Sequence, residues 1–184
     1  LPATQSPPDD PAAVAVAARP QEAEVKAPPE HLTNDDEIYG VLEEINDQAI
    51  EQAEYAAKWA KSQRVRELAS TIMADHAAFR ERADATRERL GLRKTGSRLA
   101  DEVEKNSKQS IEIMKKVEKG DPLDKSYVDI QVDAHRLWIE YIDTKLMPQA
   151  QMPDLRVELN NFRAVLERHY DLAREIQATY TPKT

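Results

Sequence analysis

Three of the four histidines in this sequence lie on apolar stripes of helical period, where a buried imidazole is able to bind a metal. His76 follows the carboxylate of Asp75 within one apolar run, and His135 and His169 repeat this placement in two later segments. Neutral imidazole suits zinc, copper, iron and nickel. The pattern therefore predicts three rings that point into one protein interior. His31 lies beside a proline-rich segment and is predicted to be solvated.

The three positions also match in height along their predicted helices. His76 lies about 14 residues beyond the first predicted hairpin turn, and His135 and His169 lie about 14 and 17 residues to either side of the second. With a rise of about 1.5 Å per residue, these offsets agree to within one helical turn. The three imidazoles are therefore predicted to share one layer of the core.

The alternative interpretation is three unrelated core histidines. Each imidazole would then be hydrogen-bonded to a nearby acid such as Asp75, Asp133 or Glu167. Buried polar groups normally have such partners, so a single buried histidine says little about function. Three at one level, on three helices, favour a shared site, because helical bundles commonly hold metals between facing helices.

The first predicted helix supplies the remaining wall of this site. At the matching height it presents Gln48, Ala49 and Gln52. We therefore expect one transition metal ion, zinc, copper or iron, bound by the three histidines. Gln52, Gln48 or water is expected to complete the coordination. Asp75 is expected to hold an imidazole in the ligating tautomer, as carboxylates beside metal-bound histidines commonly do.

Composition and motifs argue against several other kinds of site. The 184 residues include no cysteine, which excludes disulfides, thiolate nucleophiles and cysteine-bound metals from this chain. Lys and Arg total 26 against 34 Asp and Glu, and no basic block is present to bind a phosphate backbone. The sequence has no Glu-x-x-His pair of the di-iron type. It also has no serine–histidine–aspartate order, glycine-rich phosphate loop or dinucleotide fingerprint.

Five helices are predicted to position these residues. The apolar stripe of 38–60, which includes Trp59, lies nearly opposite the stripe of 65–83 on one continuous helix, so the helix must break near 61–64. Gly91 and Gly120 provide helix stops. The predicted helices span about 33–60, 65–90, 98–119, 121–147 and 153–180.

The predicted fold is an all-α, ferritin-like four-helix bundle over residues 33–181. Its two antiparallel hairpins, helices one with two and four with five, are joined by a helical crossover. Residues 1–32 contain seven of the eleven prolines and are predicted to be a disordered tail or tether. No apolar run of about 18 residues is present, so no membrane span is predicted in this chain.

Three stretches resemble a bacterial family known as domain of unknown function 4142, which is ferritin-like and often labelled an outer-membrane or secreted protein. They are VRELASTIMADHAAFRERADATRERLGL, LDKSYVDIQVDAHRLWIEYIDT and PDLRVELNNFRAVLERHYDLAREI. The most specific matches are the Asp75 and His76 pair, the Asp-Lys-x-Tyr of Asp124 to Tyr127 followed by His135, and His169. The resemblance covers about 34–176.

The resemblance implies an extracytoplasmic location behind a signal peptide, and it implies little about activity. Family members tend to carry a Glu-x-Glu in the first helix, which falls on Ala49 and Glu51 here, so only the second acid is kept. The leading hypothesis is a non-enzymatic metal-binding bundle in metal handling or envelope stress protection. A structural or interaction module without metal and a hydrolase with an open three-histidine site are the alternatives. A homo-oligomer and tethering to the envelope through the tail are both open, and nucleic acid is not an expected partner.

Overall fold

The computed structural model describes residues 35–180, all five helices of which were predicted. Within this range there is no β-strand, and no helix is both long and apolar enough to cross a membrane. The predicted all-α bundle is confirmed, whereas the predicted tail, residues 1–32, lies outside the described residues. The helices are α1 (Asp35–Trp59), α2 (Gln63–Leu90), α3 (Arg98–Lys116), α4 (Asp121–Tyr141) and α5 (Pro153–Tyr180), and α4 continues into a π-helical turn, Ile142–Leu146.

Two antiparallel hairpins form the bundle. Residue numbers rise in α1 as they fall in α2, from the pair Tyr39 and Asp84 to the pair Asn46 and His76. By the same criterion α4 and α5 are antiparallel, and so are α2 and α5. Hydrogen bonds from α1 and its C-terminal loop to α4 show that these helices are antiparallel too. Because α2 and α4 run in the same direction, α3 must carry the chain back along the bundle, as the predicted crossover does.

A buried carboxylate fixes the break between α1 and α2. Both oxygens of Asp124, from α4, accept hydrogen bonds from the backbone N–H groups of Lys61 and Ser62, at 2.9 and 2.6 Å. These N–H groups lie just before the start of α2, where no helical hydrogen bond pairs them. The predicted break at 61–64 is therefore confirmed, and a distant residue of the chain supplies its cap.

The opposite end of the bundle is fixed in the same way. Asp35, at the start of α1, accepts hydrogen bonds from the backbone N–H groups of Gln151 and Met152, at 2.8 and 2.9 Å, where α5 is about to begin. Asp35 is 6% exposed and Asp124 is fully buried. Each hairpin turn is thus held by an acid from the other hairpin, which sets the height of one hairpin relative to the other.

The amphipathic pattern places the core correctly, with local exceptions. Trp59 was predicted to be buried, but it is 44% exposed, because α1 ends at this residue and its ring lies beneath the ammonium group of Lys119 instead of in the core. On α3 the buried polar residue is Ser107, and Ile111 is buried as well, whereas Ser110 is only partly covered. The inward face of α3 therefore runs through Ser107 and Ile111.

Gly40 allows the close contact between α1 and the loop that follows α2. A Cβ at this position would overlap the carbonyl oxygen of Thr95, a backbone atom that cannot move as a side chain does. Glycine inside a helix normally costs about 1 kcal/mol relative to alanine, so its presence here reflects space and not helix propensity.

We expect Gly40→Ala to lower the free energy of unfolding by about 1 to 3 kcal/mol, because the clash outweighs the gain in helix propensity. Gly96→Ala is the matched control, since a Cβ there meets nothing within 4 Å and its φ is not positive. Urea denaturation of both variants checks this expectation. Equal stability of the two variants would show that the loop yields freely at Gly40.

Candidate metal centre

The three predicted histidines meet in the core of the bundle. His76 on α2, His135 on α4 and His169 on α5 each have 0% of their surface exposed. One nitrogen from each ring lies within 4.8 Å of the nitrogens offered by the other two rings. The ring centroids are 5.2 to 6.1 Å apart. The prediction that the three imidazoles share one layer is therefore confirmed.

Each ring uses one nitrogen to bond an acceptor outside the cluster. His135 Nδ1 lies 2.9 Å from the backbone carbonyl oxygen of Gln131, and His169 Nε2 lies 2.9 Å from a carboxylate oxygen of Asp75. His76 Nδ1 lies 2.8 Å from the side-chain oxygen of Asn46. A backbone carbonyl and an ionised carboxylate only accept hydrogen bonds, so His135 Nδ1 and His169 Nε2 are protonated donors. The Asn46 amide turns its oxygen to His76 Nδ1, which therefore donates as well, and its own Nδ2 is buried without a partner.

The hydrogen bonds therefore define the tautomer of every ring. A neutral imidazole carries one N–H, which leaves a lone pair on the other nitrogen. Those other nitrogens are His76 Nε2, His135 Nε2 and His169 Nδ1, and each is buried without a hydrogen-bond partner. The core thus presents three unpaired lone pairs from rings that are in contact with one another. Three such nitrogens can bind a metal ion, since the metal-ligating form of histidine is the neutral imidazole with its other nitrogen anchored.

Burial keeps the rings neutral. It lowers the pKa of His135 to about 3, with a further contribution from a charge on His169, against a small opposing effect of the Gln131 carbonyl. Burial also lowers the pKa of His76 well below its usual value, and charges on the other two rings act in the same direction. The pKa of His169 is lowered by burial as well, although Asp75 opposes this. Protons therefore compete weakly with a metal for these nitrogens near neutral pH.

Aromatic side chains surround the cluster. The edge of Phe162 meets His76 at a centroid distance of 5.5 Å, and Phe79 stacks on Phe162 at 4.3 Å. Trp138 lies 5.1 Å from His135. These rings restrict the rotation of the imidazoles and lower the local dielectric constant, which strengthens electrostatic interactions within the site.

Asp75 links the cluster to the protein surface. Its Oδ2 accepts hydrogen bonds from His169 and from Arg168 Nη2, the latter at 2.7 Å, and about 31% of its side chain is exposed. Burial raises the pKa of the Asp75 carboxyl, but the hydrogen bonds from Arg168 and His169 outweigh it and bring the pKa below its usual value. The carboxylate is therefore ionised near neutral pH and holds the ring of His169.

The two glutamines proposed from the sequence are already engaged. Gln52 donates to Ser107 at 2.7 Å and accepts from Gln131 at 2.8 Å, so both ends of its amide are used. Gln48 donates to Glu44 at 2.7 Å, although its Oε1 is buried without a partner. At about 100° per residue, Gln48 lies roughly 160° around α1 from Asn46, the residue that contacts His76. Gln48 is therefore on nearly the opposite side of α1 from that contact. Their role as metal ligands stays a prediction.

Sequence reasoning missed the two residues that orient His76 and His135. It considered acids as partners, whereas the structure uses the Asn46 amide and the Gln131 backbone. Asn46 lies within the apolar stripe of α1, and a buried amide on such a stripe is a signal that could have identified it. Asp133, which was one suggested partner, is exposed on the far side of α4.

The fold and site together define a helical bundle whose core brings together three buried imidazoles, each with one unpartnered nitrogen. A family model described as a domain of unknown function, DUF4142, matches residues 8–176 of the chain. The protein therefore belongs to the DUF4142 family. No curated protein and no solved structure matches the chain.

Acid should destabilise the metal-free protein. In the unfolded chain a histidine takes up a proton near pH 6.5, whereas folded His135 does not until about pH 3. The unfolded state therefore binds more protons in this window, and the free energy of unfolding falls as the pH is lowered through it. Between pH 7 and pH 5 we expect His135 alone to account for a loss of roughly 2 kcal/mol.

Urea denaturation of the chelator-treated protein at pH 7, 6 and 5 measures this loss. The matched variant is His135→Leu, whose stability should decline less steeply because one titrating group is gone. In this variant the Gln131 carbonyl keeps a hydrogen-bond partner, because it lies inside α4 and accepts from the backbone N–H four residues later. Parallel pH profiles for the two proteins would contradict the assignment of a buried, neutral His135.

Proposed function

We propose that the protein binds one transition metal ion in the bundle core through His76 Nε2, His135 Nε2 and His169 Nδ1. The observation that carries the proposal is the hydrogen-bond pattern. All three rings donate their N–H outward, and all three lone pairs are left inside without a partner.

An arrangement of this kind is costly unless something binds it. A buried polar atom without a partner costs about 1 to 3 kcal/mol, and the cluster contains three such atoms close together. Lone pairs on neighbouring neutral rings cannot satisfy one another. If the site were only packing, one rotated ring could instead donate to its neighbour, but the acceptors Asn46, Gln131 and Asp75 hold the rings in the opposite sense. A cation satisfies all three nitrogens at once.

The spacing suits a metal after a small adjustment. A metal with nitrogen ligands at about 2.0 to 2.1 Å in tetrahedral geometry places those nitrogens about 3.4 Å apart. One nitrogen of each ring here lies within 4.8 Å of one nitrogen of each of the other two rings. Side-chain rotations that move each ring nitrogen by about 1 Å or less would bring the three nitrogens to this spacing, with no change in the helices.

The burial of the site favours metal binding without catalysis. All three rings are fully buried, so no substrate reaches the cluster in this conformation. A catalytic metal needs a coordination position open to substrate, and we propose none here. The role is the holding of a metal, for storage, sensing or protection of the envelope against stress. We place this role outside the cytoplasm, as the family resemblance implies. Fractionation of cells that express the tagged protein from its native gene tests the location, and recovery in the cytoplasmic fraction would refute it.

Thermal unfolding of the chelator-treated full chain, with and without zinc, copper, iron or nickel, tests the proposal. A ligand present at 100 times its Kd adds about 2.7 kcal/mol, which corresponds to a rise in Tm of roughly 5 to 10 °C for a chain of this size. At least one of these metals should produce such a rise. Elemental analysis of the protein as purified should find that metal near one equivalent per chain.

Two histidine variants distinguish the core site from general histidine binding. His135→Leu should fold and lose the metal-dependent rise in Tm, because an apolar side chain of similar size replaces a ligand. His31→Ala removes the histidine that lies outside the described residues, and it should leave the rise unchanged. If no metal shifts the Tm of the unaltered protein, the cluster is a packing feature and the protein is a structural or interaction module.

Asp75→Asn tests the orienting role of the carboxylate. The amide is a weaker acceptor for the His169 Nε2–H than the carboxylate and can present its N–H₂ group instead, so the ring is held less firmly in the ligating tautomer and we expect metal affinity to fall about 10- to 100-fold. Asp143→Asn is the matched control, since Asp143 also pairs with an arginine of α5 but does not touch the cluster. Chelator competition measures both affinities. Equal losses in the two variants would show a general charge effect and not orientation of the ligand.

A further inference from the structure

The ligand set of the proposed site is neutral. Each of the three rings contributes a lone pair from an uncharged imidazole, and no carboxylate oxygen belongs to the cluster among residues 35–180. A bound ion would therefore keep its full formal charge. The charge of the ion then decides how stable the loaded site is.

The surroundings of the site offer little to compensate that charge. Asn46 and the Gln131 carbonyl are neutral, and the neighbouring rings of Phe162 and Trp138 are apolar. The nearest acid in contact with a ligand is Asp75, and the Arg168 guanidinium at 2.7 Å already balances it. In the Born description, the cost of burying an ion grows with the square of its charge, so a divalent ion costs about four times as much as a monovalent one.

The number of donor atoms also limits the choice of ion. Zinc in proteins takes four ligands in structural sites, or three and a water in catalytic sites. On α1, Gln52 uses both ends of its amide in other hydrogen bonds. Ala49 is fully buried. It lies about 60° around α1 from Asn46, which contacts His76, and so between Asn46 and Gln52. Because alanine has no donor atom, this position of α1 provides no fourth ligand.

We propose that the ion is monovalent copper, held in a three-coordinate site by His76, His135 and His169 alone. This inference rests on the proposed function and narrows it. Cuprous ion has a filled d shell and accepts two or three nitrogen ligands, and a net charge of one is the lowest that a transition metal brings into such a core. An aromatic enclosure without an anionic ligand also disfavours oxidation to the divalent ion, which would double the uncompensated charge.

The test compares Cu(I) and Zn(II) on the metal-free full chain at pH 7. Anaerobic titration with Cu(I) in competition with bicinchoninate gives one Kd, and Zn(II) in competition with a chromophoric zinc chelator gives the other. We expect the Cu(I) Kd to be at least about 100-fold lower than the Zn(II) Kd. X-ray absorption of the Cu(I) protein should show three nitrogen donors.

The possible results separate this inference from the function it rests on. Equal or tighter binding of Zn(II), or a fourth donor on copper, overturns the cuprous assignment and leaves a metal site in place. If neither ion binds, the proposed function fails as well.

A charge variant tests the physical reason for the preference. Arg168→Gln frees the charge of Asp75 at a partly exposed position, where 52% of the arginine side chain is accessible. The released negative charge acts on a divalent ion twice as strongly as on a monovalent one, so the affinity for Zn(II) should rise more than that for Cu(I). Arg163→Gln removes another arginine of α5, whose partners are Asp143 and Glu167, and should change neither affinity. An equal change for both ions in Arg168→Gln would contradict the charge argument.

Discussion

The central constraint in this protein is the set of hydrogen bonds that direct three imidazole N–H groups away from their common centre. The acceptors come from α1, α2 and α4, and the rings come from α2, α4 and α5, so the four principal helices are all committed to one polar arrangement. A small rotation of α1, α2 or α5 would break one of these bonds and leave a further polar atom unpaired in the core, whereas the bond between His135 and Gln131 lies within α4. The lone pairs that remain define the inside of the site.

The rest of the fold holds the helices at the heights that this arrangement needs. Asp124 caps the first hairpin turn and Asp35 caps the N-terminal approach to α5, each from the other hairpin. Between these ends, a chain of hydrogen bonds runs from Ser107 on α3 through Gln52 on α1 to Gln131 on α4, one turn before His135. The crossover helix is thus connected to the cluster through polar contacts as well as through packing. The predicted height match of the histidines is met because both ends of each hairpin are fixed.

The sequence was sufficient to predict the helices, the hairpins and the meeting of the three histidines, because each depends on a periodic apolar pattern or on helix stops. The break after α1 was inferred only from two stripes that do not align, since its cap, Asp124, lies more than sixty residues away along the chain. Trp59 was misplaced because a periodic pattern carries no information about where a helix leaves the core.

The partners of the rings were harder to predict, for a physical reason. A backbone carbonyl such as that of Gln131 is available at every position of a helix, so no residue type marks it in the sequence. Asn46 has a side chain that could be recognised, but its choice of His76 depends on the rotation of α1 against α2. Asp75 was identified because it adjoins a histidine, yet the ring it binds is His169 on another helix and not its neighbour. Contacts between helices decide these details.

Direct observation of the histidine tautomers tests the central claim, and nitrogen-15 NMR of the imidazole rings in the metal-free protein at pH 7 provides it. We expect three neutral rings, two protonated at Nδ1 (His76 and His135) and one at Nε2 (His169). Addition of the metal should shift the opposite nitrogen of each ring. A charged ring at this pH, or an N–H directed from one ring of the cluster to another, would contradict the account, because the core would then satisfy its own histidines without a metal.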